Sequence, residues 1–294
     1  MDWFLVNAIN ALTFGLLLFL LSSGLTVAFG LMGVLSFAHG ALYALGAYLG
    51  WQIAQVAGFW TALCVAPLAI GVFGVAIERL VLQRVRARGH LPELLATCGI
   101  GYVISEAITL VWGRNVLDAY TPAAWAQTNW SVLGVQIGAT RAASVAIALG
   151  VLIVLAIVLR ATRVGLVLRA ALSNPAMVGA LGVPLPRVHA LVFGASCALA
   201  GLAGVLGGNL FVIEPAMAAS VTGLAFVIIV IGGLGSLSGA LIASLAVAAV
   251  QVFSAASTAS VAGIDIARLA GALPYLLMVL VLALRPMGLA GDRE

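Results

Sequence analysis

A histidine and a carboxylate interrupt long apolar stretches of the sequence, where ionisable side chains are rare. His39 lies in the segment Ser36-Phe-Ala-His-Gly40, and Gly33 precedes this segment by three residues. Glu106 lies inside the apolar run from 94 to 112. An ionised group at the centre of a bilayer costs ~2.5–3.5 kcal/mol or more. Each side chain must therefore face protein or water, as a proton-relay group, a substrate-pathway group or an interhelical partner.

Two interpretations of the Ser36–Gly40 segment remain open. Flanking glycines allow a helix to break and to turn backbone groups toward a cavity, which would make Ser36, His39 and Gly40 part of a gate or substrate pathway. Alternatively, the segment is a structural turn in which His39 caps a helix. Another carboxylate, Glu78, is followed directly by Arg79, and a neighbouring ion pair at a helix end is the simplest prediction for it.

Patterns typical of enzymes and metal sites are missing from the sequence. The three histidines, His39, His90 and His189, are far apart, and neither HExxH nor GxSxG occurs. The chain contains no lysine, which excludes a P-loop ATPase and a cofactor bound as a Schiff base. We therefore expect no catalysis, no cofactor and no metal in this chain, and any ATP hydrolysis must occur on another subunit.

The composition predicts an integral membrane protein. Hydrophobic residues make up 64% of the 294 residues, charged residues only 7%, and mean hydropathy is +1.24. A soluble domain has about 25% charged residues. At ~20 apolar residues per span, the length allows an all-α polytopic bundle of about 8–10 transmembrane helices in one domain, 1–294. We predict a retained first span and nine spans in all, at 4–30, 40–57, 59–82, 94–112, 142–159, 188–212, 217–232, 239–256 and 272–284.

The arginines predict the orientation of these spans. They concentrate at 79–88, at 160–187 and after residue 284, whereas the segments 113–141, 213–216 and 257–271 are poor in arginine. The positive-inside rule then places the N-terminus outside and the C-terminus in the cytoplasm. The external loop, 113–141, is rich in tryptophan. It is either an interfacial anchor or a docking surface for an extracytoplasmic protein.

The cytoplasmic loop 160–187 is predicted to contain a short helix. Asn174 suits the N-cap position, Pro175 the first helical position, and Gly182 a helix end. A partly apolar helix between two spans either inserts into a groove of a partner protein or lies on the membrane surface.

Two glycine-rich segments suggest an internal repeat. Gly30-Leu-Met-Gly-Val-Leu-Ser36 precedes Gly40-Ala-Leu, and Gly232-Gly-Leu-Gly-Ser-Leu-Ser238 precedes Gly239-Ala-Leu. Paired glycine-interrupted segments point to the binding site in transporters built from repeats, although chance similarity is an equal alternative in a sequence so rich in small residues. The second segment adds Gly232, Gly233, Gly235 and Ser236 to the predicted pathway or gate.

Five ordered segments resemble the branched-chain amino acid (Liv-type) ABC permease family. They are Phe29-Gly-Leu-Met-Gly…Phe-Ala-His-Gly…Gly-Ala-Tyr48, Ile77-Glu-Arg-Leu80, Thr162-Arg-Val-Gly…Arg169-Ala with Leu181-Gly-Val183, Val230-Ile-Gly-Gly-Leu-Gly-Ser236 with Gly239-Ala, and Leu284-Arg-Pro-Met-Gly-Leu289. The likeness extends from about residue 7 to residue 289. Leu166 and Asn174 depart from the arginine and aspartate that the family usually has near these positions, which predicts that ATPase docking differs in detail.

The resemblance implies one permease subunit of an ATP-driven importer for branched-chain or related hydrophobic amino acids in the bacterial inner membrane. It implies a second homologous permease, cytoplasmic ATPase subunits and a periplasmic substrate-binding protein as partners. The residues implied in ATPase coupling are Arg163, Gly165, Arg169, Asn174, Pro175 and Gly182. Urea, amides or aromatic acids are alternative substrates within the same family. A stand-alone secondary transporter or channel with Glu106 and His39 as a proton relay is the alternative from another class.

Overall fold

The chain folds into a bundle of helices. The computed structural model describes residues 2–33, 35–118, 120, 129–132, 135–258, 260–261 and 264–290. Within these residues the helices are α1 (Asp2–Met32), α2 (Ala38–Ala57), α3 (Phe59–Ile77), α4 (Gln83–Arg86), α5 (His90–Trp112), α6 (Ala139–Ala161), α7 (Arg163–Ser173), α8 (Pro175–Ala180), α9 (Leu185–Gly208), α10 (Met217–Gly232), α11 (Leu237–Ala255), α12 (Ile266–Leu269) and α13 (Leu273–Leu284). A π-helical turn, Glu78–Leu82, joins α3 to α4.

Two short antiparallel hairpins accompany the helices. The first pairs β1 (Asn129–Val132) with β2 (Val135–Gly138), and the second pairs β3 (Ser260–Val261) with β4 (Ile264–Asp265). Both hairpins lie in connections between helices. The predicted helical membrane bundle is therefore confirmed, with these small additions.

A helix occupies each of the nine ranges predicted as spans. Within the described residues, six helical segments are long and apolar enough to cross a membrane: Trp3–Met32, Phe59–Arg86, His90–Trp112, Ala139–Ala161, Leu185–Gly208 and Leu237–Ala255. The helices α10 and α13 are apolar but shorter. The chain is thus a multi-pass membrane protein.

The helix α2 is less apolar than its neighbours because protein surrounds it. Nearly every residue from Ala38 to Tyr48 is buried, and α2 packs against α3, α5, α9 and α10. A helix shielded from lipid can carry His39 and polar tyrosine hydroxyls without exposing them to hydrocarbon. The centre of the bundle is formed by α1, α2 and α9, and its largest buried side chains include Phe19, Tyr48 and Phe193.

The helix connections gather at two ends of the bundle. Among the described residues, the arginine-rich end comprises 86–90, 160–185, 232–237 and 284–290, and the arginine-poor end comprises 112–118, 135–139, 208–217, 255–258 and 264–273. Contacts join segments of the same end: Arg86 meets His189, whereas Leu117 forms a β-bridge with Ile213. This is the alternation that the arginine pattern predicts. Which end faces the cytoplasm remains a prediction.

Parts of the predicted external loop lie outside the described residues. These parts are 119, 121–128 and 133–134, together with the side chains of 129–137. The loop's predicted role as an anchor or docking surface therefore stays a prediction. The C-terminal residues 291–294 also lie outside the described part of the chain.

Candidate functional site

The helix α2 begins inside the bundle, so the Ser36–Gly40 segment is surrounded by other helices. Gly33, with φ +68°, ends α1 beside His90 at the arginine-rich end. The chain then runs inward, because the Phe37 N–H donates to Thr97 Oγ1 at 3.2 Å and Thr97 lies two turns into α5. The break in helicity that the glycines predict therefore exists, and it opens toward the interior of the bundle.

His39 is buried and hydrogen-bonded to the middle of α9. Its Nε2 lies 2.6 Å from Ser196 Oγ, and its ring packs edge-on against Phe193. His39 is 1% exposed. His39 thus lies in the first turn of α2, where its described side-chain hydrogen bond joins α2 to α9.

Gly40 allows α2 and α10 to approach closely. A Cβ at this position would collide with Thr222 Oγ1 and would lie 2.5 Å from the Ala218 carbonyl oxygen. Next to this contact the Phe37 ring stacks on Phe226, with centroids 4.4 Å apart. Ser36 is also buried, and its hydroxyl has no hydrogen-bond partner among the described residues. Side chains from α5, α9 and α10 therefore hold the predicted gate segment.

A groove of about 390 Å³ borders this segment on the outside of the bundle. The start of α2, the middle of α5 and the start of α10 form its walls, with Phe37, Tyr102, Ser105 and Thr222 among the lining residues. The space between the walls exists because the side chains that line it there are small, namely those of Ala41, Ala218 and Ala219. The groove therefore combines apolar walls with a few hydroxyl groups, which is the composition of most small-molecule sites.

Glu106 lies on the exposed face of α5, one residue beyond Ser105 of the groove. Its neighbours Tyr102 and Val103 are 77% and 70% exposed. His39, by contrast, points into the bundle toward α9. The structure therefore places the two groups of the proposed proton relay on different sides of the α2–α5 wall.

The second glycine-rich segment forms a tight turn between α10 and α11. Gly233 and Gly235 have φ of +96° and +85°, a backbone conformation that favours glycine. Ser236 caps α11 by accepting a hydrogen bond from the Gly239 N–H at 3.2 Å. The C-terminal segment covers this turn, since Leu289 N–H donates to the Ile231 carbonyl at 2.8 Å. The described contacts of Gly232, Gly233, Gly235 and Ser236 are those of a closed turn, and their role in a gate stays a prediction.

The two similar glycine-rich segments lie next to each other in space. A Cβ at Gly235 would lie 3.8 Å from the Gly30 Cα atom. Both segments connect consecutive long helices at the arginine-rich end. Their similarity in sequence therefore corresponds to a similarity in position, although α2 starts deep in the bundle.

The loop 160–187 contains two helices, and its caps are as the sequence predicts. Asn174 Oδ1 accepts a hydrogen bond from the Met177 N–H at 3.0 Å, Pro175 opens α8, and Gly182 follows its end with φ +85°. These predictions are confirmed. The helix α7 was not predicted; Thr162 caps it by accepting from the Gly165 N–H at 3.3 Å.

Gly165 and Arg169 fix the corner between α6 and α7. A Cβ at Gly165 would collide with the Leu159 carbonyl oxygen, so a larger side chain would push the two helices apart. Arg169 donates to the Gly165 carbonyl at 3.3 Å and to the Arg160 carbonyl at 3.4 Å. Arg169 thereby satisfies the Arg160 carbonyl at the end of α6, one of the groups that a helix cannot satisfy itself.

The surface of this loop exposes large apolar side chains. Val164, Leu166, Met177 and Leu181 are 64%, 63%, 57% and 76% exposed. Arg163 is also exposed. On the opposite side, Leu168 and Val178 are buried. The two helices therefore present a mixed apolar and cationic surface at the arginine-rich end.

A buried charge cluster at the arginine-rich end was missed by the sequence analysis. Arg86 forms an ion pair with Glu78 at 2.8 Å and with Glu93 at 2.7 Å, and its Nη1 lies 3.0 Å from His189 Nδ1. The prediction that Glu78 pairs with its neighbour Arg79 is wrong. Glu78 and Arg86 are eight residues apart in sequence, and the π-helical turn Glu78–Leu82 lies between them, a backbone irregularity that the sequence did not reveal.

The cluster joins three parts of the chain. It links the segment from the end of α3 to α4 with the first turn of α5 and with the start of α9. Glu78 and Glu93 side chains are each 2% exposed and Arg86 is 23% exposed. Arg86 donates to Glu93 Oε1 through Nη2 at 2.7 Å and to Oε2 through Nε at 3.3 Å, the fork geometry in which arginine binds a carboxylate most specifically. Across the described residues, no group of three or more His, Cys, Asp or Glu could hold a metal ion.

Comparison with known proteins supports the resemblance along nearly the whole chain. The family described as the permease component of branched-chain amino acid transport systems matches residues 7–282. The LivH permease protein of the high-affinity branched-chain amino acid transport system of Escherichia coli K12 is 28% identical over 310 residues, covering 99% of this chain and 97% of LivH. BraD of Pseudomonas aeruginosa PAO1 is 26% identical over 304 residues, with the same coverage. Probable LivH of Methanocaldococcus jannaschii is 25% identical over 288 residues, covering 96% of this chain and 91% of that protein.

The fold also resembles a solved structure. A chain of PsaBC from Streptococcus pneumoniae in complex with Fab matches with a TM-score of 0.51 and 10% identity, covering 93% of this chain and 90% of that chain. At this identity the match concerns the fold alone. Because the family pattern covers residues 7–282, the chain belongs to the permease component family of branched-chain amino acid transport systems.

Proposed function

We propose that the chain is the membrane-spanning permease subunit of an ATP-driven importer of branched-chain or related hydrophobic amino acids. Its proposed partners are a second homologous permease, cytoplasmic ATPase subunits and a periplasmic binding protein. Its proposed place is the bacterial inner membrane, with the N-terminus outside and the C-terminus in the cytoplasm. The family match over residues 7–282 is the observation that carries this proposal.

The groove beside Ser36–Gly40 is the proposed substrate pathway. Two helices, α2 and α10, begin at this groove, and the N-terminal ends of helices favour negative charge. Helices that begin within the membrane form the substrate sites of many transporters for the same reason. A substrate carboxylate near these N-termini and an apolar side chain against Phe37 and Tyr102 are therefore compatible with the walls.

The exposure of Glu106 supports the proposal that a partner chain lies across this groove. The side chain is exposed on α5, and lipid would leave an ionised carboxylate without compensation. A second permease that covers the exposed face of α5 would shield Glu106 and close the groove into a cavity between the subunits. In this arrangement Glu106 faces the substrate pathway or forms a hydrogen bond with the second permease.

The helices α7 and α8 are the proposed coupling element. Their exposed Val164, Leu166, Met177 and Leu181 fit a groove of an ATPase subunit in the manner of a helix in a hydrophobic groove. Gly165, Arg169 and Asn174 then act by fixing the shape of the loop. ATP binding would bring the ATPases together, move this loop and switch the bundle from inward-open to outward-open.

Reconstitution tests the proposed function. The chain is purified with the permease, ATPases and binding protein encoded beside it and placed in proteoliposomes, and uptake of radiolabelled leucine is measured with and without ATP. We expect uptake that requires ATP and the binding protein. Uptake by this chain alone, driven by a proton gradient and indifferent to ATP, would overturn the proposal and favour a secondary transporter. Uptake of urea, an amide or an aromatic acid instead of leucine would show that the proposed substrate is wrong and would identify the alternative.

Glu106→Gln separates the two roles of that carboxylate. The glutamine keeps hydrogen bonding and removes the charge, so transport is retained if Glu106 serves as an interhelical partner. Loss of uptake with normal assembly indicates that the charge itself acts in the pathway. Ser105→Ala, at the adjacent groove position, is the matched control for a small change in the same wall.

A further inference from the structure

A second cavity, separate from the groove, opens at the arginine-poor end. It has a volume of about 580 Å³, within the ~300–1,000 Å³ typical of small-molecule pockets. We call it the vestibule, and its walls come from the N-terminal half of α1, the start of α6, the residues after α9 and the end of α11. The residues that matter for its chemistry are Asn10, Phe14, Arg141, Leu210, Phe211 and Gln251.

A fixed cation lies at one side of the vestibule. Arg141 donates through Nη1 to Asn10 Oδ1, which holds the guanidinium against α1. A guanidinium has five N–H donors, so this bond leaves others that can bind a carboxylate. No acidic side chain lines the vestibule within the described residues, and the cavity is therefore electropositive.

An unsatisfied acceptor lies at the end of α11. Gln251 lines the vestibule, and its Oε1 is buried without a hydrogen-bond partner among the described residues. A buried acceptor without a donor is costly, and a ligand that donates hydrogen bonds would remove this cost.

The remaining walls are apolar and aromatic. Phe14 and Phe211 meet edge to face, with ring centroids 5.5 Å apart, and Leu210 and Val252 extend this surface. The vestibule therefore combines a cation, an orphan acceptor and an apolar wall. These are the complements of a carboxylate, an ammonium group and a hydrophobic side chain.

We propose that the vestibule is a binding site for the zwitterion of a hydrophobic α-amino acid. Arg141 binds the carboxylate, Gln251 Oε1 accepts a hydrogen bond from the ammonium group, and Phe14, Phe211 and Leu210 contact the side chain. An anionic lipid headgroup without an ammonium group would satisfy Arg141 but would leave the Gln251 acceptor unpaired, since an ionised phosphate donates no hydrogen bond. The proposal rests on the proposed function, in which this end receives substrate from outside.

Binding to the full-length permease, assembled with its partner subunits in nanodiscs, tests the site. The probe is radiolabelled leucine, with competition by 4-methylpentanoate, which lacks the ammonium group, and by 3-methylbutylamine, which lacks the carboxylate. We expect unlabelled leucine to compete and both truncated compounds to fail. Arg141→Ala should weaken leucine binding about tenfold or more, because a charged hydrogen-bonding partner is lost.

Three further variants serve as controls for this binding test. Arg268→Ala removes the same charge at the same end of the bundle but outside the vestibule, and it should leave leucine binding unchanged. Ala255→Leu fills the vestibule while keeping Arg141, so it should also weaken binding if Arg141→Ala assembles poorly. Gln251→Leu should weaken leucine binding and remove the advantage of leucine over 4-methylpentanoate.

Two results would overturn the site. One is equal leucine affinity in the wild type, Arg141→Ala and Ala255→Leu; the other is displacement of leucine by anionic lipid with no effect of Gln251→Leu. ATP-dependent leucine uptake is measured on the same preparations. Normal uptake with unchanged binding in the variants refutes the vestibule alone, whereas absent uptake in the wild type refutes the proposed function.

Discussion

The two ends of the bundle differ in how deeply their arginine ion pairs are buried. At the arginine-rich end, Arg86 is enclosed between Glu78 and Glu93, whose side chains are each 2% exposed. At the arginine-poor end, Arg268 pairs with Asp265 at 3.3 Å while their side chains stay 80% and 57% exposed. Arg141 borders an open cavity at the same end. The arginine-rich end thus contains a buried charge cluster beside its exposed arginines, whereas Arg268 and Arg141 at the other end stay accessible.

The difference shows how location changes the role of one residue type. If a buried ion pair is separated, the charge that stays buried is no longer compensated, which costs much free energy. The Arg86 cluster therefore holds three chain segments in one arrangement. An exposed pair contributes little because water and salt screen it. The buried Arg86 cluster and the exposed α7–α8 surface lie at the same, arginine-rich end of the bundle.

The largest effect is expected at Arg86. Arg86→Ala leaves Glu78 and Glu93 buried without their cation and should lower stability by ~3–5 kcal/mol. The measurement is the thermal unfolding temperature in detergent together with the yield of monodisperse protein. Arg84→Ala is the control, because Arg84 is exposed and bonds only to the Leu80 carbonyl among the described contacts. Similar stability of the two variants would contradict the structural role of the cluster.

The next effect concerns the α7–α8 surface. Met177→Ser combined with Leu181→Ser removes two exposed apolar anchors without touching the buried Val178, and should weaken binding of the ATPase subunits about fivefold or more. Pull-down and titration of the ATPases against the detergent-purified permease measure this. The control is Leu269→Ser at the arginine-poor end, where an exposed leucine is removed far from the coupling surface. Unchanged ATPase affinity in the double variant would refute the docking assignment.

A smaller effect is expected at the cap of α8. Asn174→Ala removes the hydrogen bond to the Met177 N–H, which costs ~1 kcal/mol at a helix N-cap. Hydrogen–deuterium exchange should become faster in 175–180 and stay unchanged in α9. Asn174→Asp keeps the acceptor and serves as the rescue variant. Equal exchange in the wild type and Asn174→Ala would show that the cap does not stabilise α8.

The smallest effect is expected for the exposed ion pair at the other end. Arg268→Ala should change stability by less than ~1 kcal/mol, and raising the salt concentration should remove even this difference. Thermal unfolding in low and high salt checks it. A loss comparable with that of Arg86→Ala would mean that the two ends do not differ as described.

The helices could be predicted from the sequence because each long apolar run must satisfy its backbone within itself. Lipid offers no hydrogen bonds, so a run such as 239–256 has no alternative to a helix. Local capping was also predictable: Asn174, Pro175 and Gly182 act through neighbours a few residues away. The helix α7 escaped prediction because the loop has a mixed apolar and cationic sequence.

The candidate site was only partly predictable, since its geometry depends on distant residues. The sequence singled out His39, but the contact with Ser196 spans 157 positions. For Glu106 the sequence left a pathway role and an interhelical role open, and the structure adds that its side chain is exposed on α5. The vestibule was not anticipated at all, because its residues come from four separate parts of the chain.

The sequence by itself determined the class of molecule, the positions of its long apolar helices, the alternation of its ends and its family. These features follow from composition, the length of apolar runs and ordered motifs, all of which are local. The tertiary structure decided which polar groups are buried together. It paired Glu78 with Arg86 instead of Arg79, turned Glu106 outward and left Gln251 beside a cavity. The physical reason is that burial and pairing depend on how helices pack, and packing joins residues that the sequence keeps far apart.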